Sequence, residues 1–561
     1  MTDVVNRGAN QAANPAMDRR GLVVDLALIA LASVASLALF AVLRRLGLPF
    51  GLRVIAMGED YNWLLILSSP GAVARAQTFW TFNDRNPLSP WWYVAAQPLF
   101  TNGANGAYLV RLMMGPLLGV SSYLMVRGVA DGRARGIALG TGMLAAAWVL
   151  HPTPDEIAWN FIGALSLSCL CVASFAAWVR GGRRAPGWYG LSLVLWFVAF
   201  GSYTFQVGAV VGIGLLALLH PASPGAGPFR RFVGAVLETL PYALLLGAFV
   251  LVWKTTQNPG MAAYYDLRPD LLLQNLPASI KAGLSVSRYD GFVAVAQQVL
   301  GWRALALGAA FGIGMAGLHF LALRREEPVR ARDAAVVLAV AFGLVLPTLL
   351  IESMSGTWTV GLRWPMVEQA WMPLLWTGVA ALVLALLPVP AGLRRAGLSA
   401  VGGVAAAWLL VACLGYNSRQ SVASAHEGAL RSGMEALGAA VPAGQPANFV
   451  VLVDPGVFLV TPDIMSYRVA PVWWPGRDFG LRVLWANHPN GWDAEPWGKL
   501  VLEDAQATNL RIGGGAPVPY GAIRFLRFDG RRLTAPAELT AADVAPYPVT
   551  WRRSAPVRQG P

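Results

Sequence analysis

Long apolar runs separated by short polar connections occupy the first 414 residues of the chain. A membrane-spanning helix needs about 17–25 mostly apolar residues, and eleven runs, including a short pair at 187–220, predict such helices. The predicted spans are 21–43, 106–127, 136–150, 157–179, 187–202, 205–220, 232–253, 303–323, 333–351, 366–388 and 396–414. The pattern therefore predicts a polytopic α-helical membrane protein.

The amino-terminal segment is polar and contains Arg7, Arg19 and Arg20. The apolar run that follows is longer than the core of a signal peptide and lacks its small-residue cleavage site. We therefore expect this run to remain attached as the first membrane helix.

Basic residues mark alternate connections between the predicted helices, and arginines in short loops favour the cytoplasmic side. The intervening short loops contain a single arginine, Arg363, whereas Arg44 and Arg45 after the first helix disagree with the pattern. Five basic loops outweigh that disagreement. They hold Arg127, Arg133 and Arg135; Arg180, Arg183 and Arg184; Arg230 and Arg231; Arg324, Arg325, Arg330 and Arg332; and Arg394 and Arg395.

This alternation predicts a cytoplasmic amino terminus, and an odd number of helices then sends the carboxyl terminus outside. Residues 1–20 are expected to form a cytoplasmic tail, and residues 21–414 the membrane domain. The loops 45–104 and 254–302 and a carboxyl-terminal domain at 415–561 are expected in the periplasm.

Composition agrees with a membrane protein. Of the 561 residues, 56% are hydrophobic and 13% are charged, with a mean hydropathy of +0.51, which is more apolar surface than one soluble core could bury. The arginines behind the net charge of +13 cluster in short loops, so the charge indicates topology, and we expect no nucleic-acid partner. Lysine is rare while Ala, Gly and Arg abound, which favours a bacterium with a GC-rich genome, and the multi-pass chain is expected in its inner membrane.

The carboxyl-terminal segment has a different pattern. Residues 415–447 predict a helix leaving the membrane, which ends near a Gly/Pro-rich turn, and Asp529-Gly530 is a two-residue hairpin signal before Leu533. The three cysteines lie in apolar runs, so no disulfide is expected. Strands are predicted at 449–453, 457–460, 500–502 and 523–528. Together they predict a mixed α/β domain of about 130 residues, large enough to fold alone.

The stretch Met57–Tyr93 lies between two apolar runs and carries adjacent acids and several aromatic residues. A carboxylate near a dry membrane boundary has a raised pKa and can act as general base for a hydroxyl or amine acceptor. Asp60 is favoured because Tyr61 and Asn62 continue its polar face, with Glu59 as the substitute. A solvated acid in an interfacial connector with an aromatic belt is the alternative interpretation.

Arginines on the predicted outer side are candidates for binding phosphate, because the guanidinium group matches a phosphate in bidentate geometry. Arg111 lies in the apolar start of the second predicted helix, where a charge is costly and usually functional or paired. Arg363 lies near Glu352, and an ion pair between them is the structural alternative. The four candidates are Arg85, Arg111, Arg288 and Arg363.

Two other groups of polar residues lie on the predicted outer side. Tyr203 and Gln206 occupy the connection between the fifth and sixth helices and could hydrogen-bond a sugar, with core packing as the alternative. His151, Asp155 and Glu156 could hold a divalent cation such as Mg²⁺ or Mn²⁺ with help from elsewhere, or the acids could favour the start of a helix. P-loop and dinucleotide glycine patterns are lacking, which argues against an ATP-driven pump.

The order of elements resembles the membrane-embedded glycosyltransferases of the GT-C fold, which use polyprenyl-phosphate-linked sugars. Both have the same order of elements: a cytoplasmic amino terminus, one helix, a long outer loop with an early acid, many helices and a periplasmic domain. The stretch Gly201-Ser-Tyr-Thr-Phe-Gln206 is similar to a helix hairpin of the bacterial branch that glucosylates O-antigen.

This resemblance implies inverting transfer of a sugar from a polyprenyl-phosphate donor to a glycan, lipid or protein acceptor at the periplasmic face, as in polysaccharide biosynthesis of the cell envelope. It implies that Asp60, with Glu59 as substitute, is the catalytic base, while arginines stabilise the leaving phosphate. Acceptor or sugar contacts are assigned to Asp155, Glu156, Tyr203, Gln206 and Glu352.

Two alternatives without catalysis are open. A transporter or flippase for a lipid-linked saccharide would be favoured by an internal repeat or paired charges at the bilayer midplane, and the sequence has no evident repeat. Asp25, Glu238 and His319 are polar residues inside predicted spans. Asp25 and His319 lie near span ends and can snorkel to the interface, so the midplane is expected to be nearly charge-free. A scaffold with a periplasmic interaction domain would explain the last domain but not the acid-bearing loop.

Overall fold

In the computed structural model of the protein, helices dominate up to residue 439 and strands follow. The structure describes residues 19–45, 88, 91–92, 95, 104–130, 132–147, 159–222, 225, 227–256, 267–284, 290–354, 366–442, 444–445, 447–457, 459, 474, 477–485, 499–510 and 516–558. The helices are α1 (Arg19–Arg45), α2 (Ala104–Val129), α3 (Arg135–Ala147), α4 (Trp159–Arg180), α5 (Pro186–Ser202), α6 (Gly208–Leu219), α7 (Pro228–Thr256), α8 (Leu272–Leu284), α9 (Asp290–Leu300), α10 (Trp302–Leu323), α11 (Ala331–Ser353), α12 (Met366–Leu386), α13 (Ala391–Ala439) and α14 (Ala541–Val544).

Each apolar run predicted to span the membrane coincides with one of these helices, from α1 to α7 and from α10 to α13. Helix α7 exposes large apolar side chains, such as Leu237 at 61% and Leu244 at 63%, as expected for a surface that faces lipid. Within the described residues, five helical segments are long and apolar enough to cross a bilayer: Ile162–Arg180, Pro228–Val252, Trp302–Leu323, Ala331–Ile351 and Ala391–Tyr416. The prediction of a multi-pass helical membrane domain is confirmed.

Glycines allow the membrane helices to approach closely. A methyl group at Gly312 of α10 would collide with the carbonyl oxygen of Gly403 on α13, and one at Gly208 of α6 would collide with the carbonyl oxygen of Leu344 on α11. In lipid, where burial of apolar side chains drives helix association only weakly, such close contacts supply much of the packing energy.

The segment 254–302 is not a plain loop, because α8 and α9 lie within it. Helix α9 packs on α13, where the Phe292 and Tyr416 rings meet edge-on with centroids 5.4 Å apart. Helix α8 is tied to α11 by the Ser353 hydroxyl, which donates to the Ser279 hydroxyl over 2.9 Å. Both helices are shorter than a membrane span, so a pattern of span-length apolar runs does not reveal them.

Helix α13 contains 49 residues without a break, so the span predicted at 396–414 and the helix predicted after it form one element. At 1.5 Å per residue α13 is about 73 Å long, more than twice the ~30 Å hydrocarbon core. Near its start Arg395 donates to the carbonyl oxygen of Leu323 over 3.3 Å. Near its end Leu430 and Met434 pack in the core of the last domain, which therefore lies at the opposite end of the bundle.

The last domain is built on parallel strands, and the predicted strand-containing carboxyl-terminal domain is confirmed. One sheet has the order β2-β1-β6-β7 and another the order β5-β4-β3-β9, while β8 pairs with β10. Strand β1 is parallel to β2, with Ala447 opposite Phe479, and parallel to β6, with Asn448 opposite Ile523. The strands are β1 (Ala447–Val453), β2 (Phe479–Trp485), β3 (Leu500–Glu503), β4 (Gln506–Thr508), β5 (Val518–Pro519), β6 (Ile523–Phe528), β7 (Leu533–Thr534), β8 (Glu538–Leu539), β9 (Val549–Arg552) and β10 (Val557–Arg558).

Every residue of β1 is buried, as in a strand covered on both faces. The Phe449 face packs with Leu430 and Met434 of α13, whereas the Val450 face packs with Leu500 of the second sheet. The predicted strands at 449–453, 500–502 and 523–528 are therefore confirmed. The one predicted at 457–460 is not seen at its described residues, Val457 and Leu459.

The predicted hairpin is present, but its loop is longer than two residues. Phe528 of β6 pairs with Leu533 of β7, which leaves four residues, 529–532, between the strands. The Asp529 carboxylate accepts hydrogen bonds from the backbone N–H groups of Arg531 and Arg532, each over 2.7 Å. Gly530 has φ +93°, a conformation that glycine adopts readily.

The basic loops gather at one end of the bundle. Arg135 pairs with Glu326, so the loops after α2 and α10 meet, and Arg395 joins them through the Leu323 carbonyl oxygen. Arg183, after α4, pairs with Glu238 in the first half of α7. The structure thus agrees with a common side for these loops, and the assignment of that side to the cytoplasm stays a prediction.

Candidate functional site

The first long loop docks at the end of the bundle opposite the basic loops. The backbone N–H of Leu88 donates to the carbonyl oxygen of Gly201 over 2.9 Å. The indole N–H of Trp92 donates to the Ser202 hydroxyl over 2.7 Å. These two contacts join the predicted acid-bearing loop to the end of α5, directly before Tyr203.

Two glycines make room for this docking. A methyl group at Gly163 of α4 would lie 2.7 Å from a ring carbon of Trp92, and one at Gly201 would lie 2.9 Å from a methyl group of Leu88. Both distances are below ordinary van der Waals contact, so any larger side chain would displace the loop. The absence of a side chain at the two glycines therefore permits the close approach of Trp92 and Leu88.

Tyr203 and Gln206 lie beside this docking point, in the connection between α5 and α6. Tyr203 has extended backbone, and its N–H donates to the Ala199 carbonyl oxygen over 2.9 Å. The turn Thr204–Val207 follows, and Gln206 is buried at 2% exposure. The sequence prediction that both residues occupy a helix hairpin is confirmed.

The carboxamide of Gln206 is satisfied at only one end. Its oxygen accepts a hydrogen bond from the Ser168 hydroxyl of α4 over 2.8 Å, whereas its nitrogen is buried and has no hydrogen-bond partner among the residues that the structure describes. A buried polar group left unpaired costs about 1–3 kcal/mol. Gln206 thus offers an N–H donor close to the docked loop, which is the type of group that recognises a sugar hydroxyl or a phosphate oxygen.

The other predicted site residues give less structural information. Arg111 lies in α2 and Glu352 in α11. Neither side chain is among the described groups. The remaining predicted residues, together with His151, lie outside the described residues: Glu59, Asp60, Arg85, Asp155, Glu156, Arg288 and Arg363. Their roles stay predictions.

The residues predicted to hold a divalent cation, His151, Asp155 and Glu156, are among those outside the described residues. Within the described residues, no group of three or more His, Cys, Asp or Glu side chains could hold a metal ion. The three cysteines are all buried and free.

A buried charge cluster lies at the basic end, and it contradicts the expectation that Asp25 snorkels. Asp25 has no exposed surface, and the Arg135 guanidinium binds its two carboxylate oxygens over 2.7 and 2.9 Å. The Tyr123 hydroxyl donates to the same carboxylate over 2.7 Å. This arrangement joins α1, α2 and α3. A buried carboxylate needs such partners, and its position along one helix does not reveal which other helices supply them.

His319 does not snorkel either. It is 4% exposed, with one ring nitrogen 3.0 Å from the Gly136 carbonyl oxygen and the other 3.0 Å from the Ser399 hydroxyl. Glu238 pairs with Arg183. Asp25, Glu238 and His319 thus tie helices together near the basic end.

Hydrogen bonds shift the pKa values of three ionisable groups in the last domain. Arg527 donates to the Asp454 carboxylate over 2.6 Å, and this hydrogen bond raises the pKa of Arg527. The backbone hydrogen bonds from Arg532 and Arg531 lower the pKa of Asp529. The Thr540 hydroxyl lowers the pKa of Asp543 in the capping box of α14.

These features define a multi-pass helical membrane protein with a strand-containing carboxyl-terminal domain. No family model matches the chain, and no curated protein matches it. Among solved structures, the chain is similar to ArnT from Cupriavidus metallidurans, determined with undecaprenyl phosphate bound. The two share 17% identity over 65% of this chain and 72% of that chain, with a TM-score of 0.28. A TM-score this low carries no argument about the fold or the activity.

Proposed function

We propose that the protein is a GT-C-type membrane glycosyltransferase of the bacterial inner membrane, which transfers a sugar from a polyprenyl-phosphate donor to a glycan, lipid or protein acceptor at the periplasmic face. The observation that carries this proposal is the docking of Trp92 on Ser202 beside Tyr203 and Gln206. It supports a site in which the first long loop closes over the helix ends.

The arrangement of the two ends of the bundle supports the proposed direction of transfer. The docked loop and the last domain lie away from the basic loops, on the side that the arginine pattern assigns to the periplasm. Nucleotide-sugars are absent there, so a lipid-linked sugar is the natural donor. The donor would enter sideways from the bilayer, and the acceptor would approach from the aqueous side.

In the proposed mechanism Asp60 removes the proton of the acceptor hydroxyl, with Glu59 as the substitute base. Arg85, Arg111, Arg288 and Arg363 are the candidates that stabilise the leaving phosphate. The amide N–H of Gln206 and the phenol of Tyr203 would orient the sugar, whose transfer inverts the anomeric centre. Asp155, Glu156 and Glu352 are the further acceptor or sugar contacts.

The test is transfer of radiolabelled sugar from a panel of polyprenyl-phosphate sugars to envelope material by the purified protein in proteoliposomes. Loss of a general base typically costs about 10²–10⁴-fold in rate, so Asp60→Asn is expected to lose at least about 100-fold. Asp84→Asn, in the same loop, is the matched control and is expected to keep its rate. Normal transfer by Asp60→Asn would remove Asp60 from this role.

The same proteoliposomes distinguish the enzyme from a flippase or a scaffold. Movement of the lipid-linked sugar across the bilayer without transfer would identify a flippase. Neither movement nor transfer with any donor would favour the scaffold.

A further inference from the structure

The parallel strands β1, β2 and β6 of the last domain end on the side nearer the membrane bundle. Helix α13 leaves the bundle near Tyr416, which packs on α9, and its far end is bound where Arg477, just before β2, donates to the Val441 carbonyl oxygen over 2.8 Å. The loop after β6 lies back along the same helix, because a methyl group at Gly530 would stand 3.2 Å from a ring nitrogen of His426. His426 is ten residues beyond Tyr416, which is about 15 Å of helix. The carboxyl ends of the strands therefore face the membrane.

The chain leaves β1 and β6 in opposite directions. From β1 it continues to β2 on one side of the sheet, and from β6 it continues to β7 on the other side, which gives the order β2-β1-β6-β7. Open α/β sheets bind their ligands outside the carboxyl ends of the strands, at the point where neighbouring strands connect in opposite directions. In this domain that point is bordered by the loops 454–457 and 529–532, which we call the sheet edge.

Hydrogen-bonding side chains gather at the sheet edge. Arg527 donates to the Asp454 carboxylate over 2.6 Å, yet the Arg527 side chain stays 53% exposed and that of Asp454 26% exposed. Burial raises the pKa of the Tyr547 phenol, and the nearby negative charges of Asp454 and Asp543 raise it further. The phenol therefore keeps its proton at neutral pH and can both donate and accept a hydrogen bond.

The charges at the sheet edge balance. Asp454 is paired with Arg527, and the Asp529 carboxylate accepts the backbone N–H groups of Arg531 and Arg532. Neither carboxylate is saturated, since a carboxylate has about four lone-pair sites and a guanidinium has five N–H donors. A balanced surface with spare donors and acceptors suits a neutral ligand with many hydroxyl groups better than a phosphate or a cation. The described loops and their paired or neighbouring side chains supply three carboxylates and three guanidinium groups, from Asp454, Asp529, Asp543, Arg527, Arg531 and Arg532.

We propose that the sheet edge binds the acceptor and that the acceptor is a neutral glycan, whose hydroxyl groups hydrogen-bond Asp454, Arg527 and Tyr547. The acceptor role rests on the proposed function, since a transferase needs an acceptor and a flippase does not. The sheet edge faces the end of the bundle at which Trp92 docks on α5. A glycan held there is positioned between the last domain and the proposed catalytic loop.

The binding test uses the full-length protein in detergent and lipid-free polysaccharide from bacterial envelopes, separated by anion exchange into neutral and anionic fractions and immobilised on a sensor. The wild type is expected to bind the neutral fraction. The double variant Asp454→Asn with Arg527→Gln removes both charges of the pair, and it is expected to weaken binding at least about tenfold, as the loss of one hydrogen bond to a charged group does.

The matched control is Glu503→Gln with Arg552→Gln, which removes another exposed pair of the same domain and is expected to bind as the wild type does. Arg552 lies five residues beyond Tyr547, at the far end of β9. Exposed ion pairs contribute little to stability, so both double variants are expected to unfold at the wild-type temperature.

A transfer measurement distinguishes failure of this proposal from failure of the proposed function. In proteoliposomes the Asp454→Asn, Arg527→Gln variant is expected to raise the KM for the acceptor about tenfold and to leave kcat and the donor KM unchanged. Asp60→Asn is expected to lower kcat and to leave glycan binding unchanged. Glycan binding without transfer from any donor would refute the proposed function, and the acceptor role with it, while the sheet edge would stand as a glycan site.

Three results would overturn the glycan site itself. The first is equal binding of the neutral fraction by the wild type and the Asp454→Asn, Arg527→Gln variant. The second is binding of the anionic fraction alone. The third is transfer to intact lipid or protein material with no binding to either polysaccharide fraction.

Discussion

The buried ion pair between Asp25 and Arg135 can be compared with an exposed Arg–Asp pair of the same chain. This comparison gives a quantitative prediction. Arg135 and Asp25 approach to 2.7 Å, with the Asp25 side chain fully buried and the Arg135 side chain 16% exposed. Arg268 and Asp270 also approach to 2.7 Å, but these side chains are 52% and 60% exposed. The residue types and the closest distance are the same, so the two pairs differ in burial and in the additional partners of the buried pair.

Asp25→Asn removes the negative charge while keeping an oxygen that the Tyr123 hydroxyl can still reach. Removing one partner of a buried ion pair costs about 3–5 kcal/mol, because the other charge is left without compensation. Arg135 retains Glu326 as a second partner, so we expect a loss near the lower limit, about 3 kcal/mol. Asp270→Asn is expected to cost less than about 1 kcal/mol, as exposed pairs do.

The assay is reversible unfolding of the full-length protein in mixed micelles, with a double-mutant cycle. Asp25→Asn combined with Arg135→Gln should be less destabilising than the sum of the two single changes, since the double variant removes both charges of the Asp25–Arg135 pair, whereas each single variant leaves one of them without the other. Equal effects of Asp25→Asn and Asp270→Asn, or strict additivity in the cycle, would refute the argument that burial makes the loss of one charge of the pair costly.

Three other changes have expected outcomes. Gly208→Val should separate α6 from α11 and lower the unfolding temperature in micelles, because its side chain would meet the Leu344 carbonyl oxygen, whereas Gly214→Ala, with Thr239 at 3.5 Å as its neighbour, should be tolerated. Gly530→Ala should destabilise the last domain by about 1–2 kcal/mol because of its positive φ, with Gly521→Ala, which has open space, as the control in the same denaturant titration. The lowered pKa values of Asp529 and Asp543 stabilise the folded domain above the unfolded-state pKa of about 4, and this stability is lost as pH falls through the lower folded-state values. Proteolysis of the full-length protein across this pH range should therefore cut the last domain increasingly as pH falls, and less steeply in Asp529→Asn.

The sequence predicted the helices well where one physical requirement determined them. Length and apolarity define a membrane span, and all the predicted spans coincide with helices. Amphipathic helices of 13 and 11 residues, α8 and α9, satisfy no such requirement and were missed. The strand at 457–460 was predicted from composition alone, which does not decide whether a neighbouring strand is there to pair.

The candidate site could be predicted in outline only. Tyr203 and Gln206 were found from a hairpin pattern, whereas Trp92 was not predicted as a site residue and belongs to a loop in which only an enrichment of aromatic residues was noted. The bond between Trp92 and Ser202 joins residues 110 positions apart, and nothing in the local pattern of either indicates the other. The Gly163 and Gly201 contacts depend on the same docking. The predicted base, Asp60, stays a prediction because the structure does not describe it.

The buried pair at Asp25 and the docking of Trp92 have a joint consequence for the proposed base. Asp25 holds α1 to α2 and α3 at the basic end, and the loop that contains Asp60 begins where α1 ends. Trp92 holds that loop to α5 shortly before α2 begins. Residues on both sides of Asp60 in the sequence, α1 and Trp92, are therefore held against the same group of helices, and we expect this to reduce the entropy lost when the proposed base is oriented for reaction. On this argument Ser202→Ala, which removes the acceptor of the Trp92 indole, should slow transfer without changing the pH at which the base titrates.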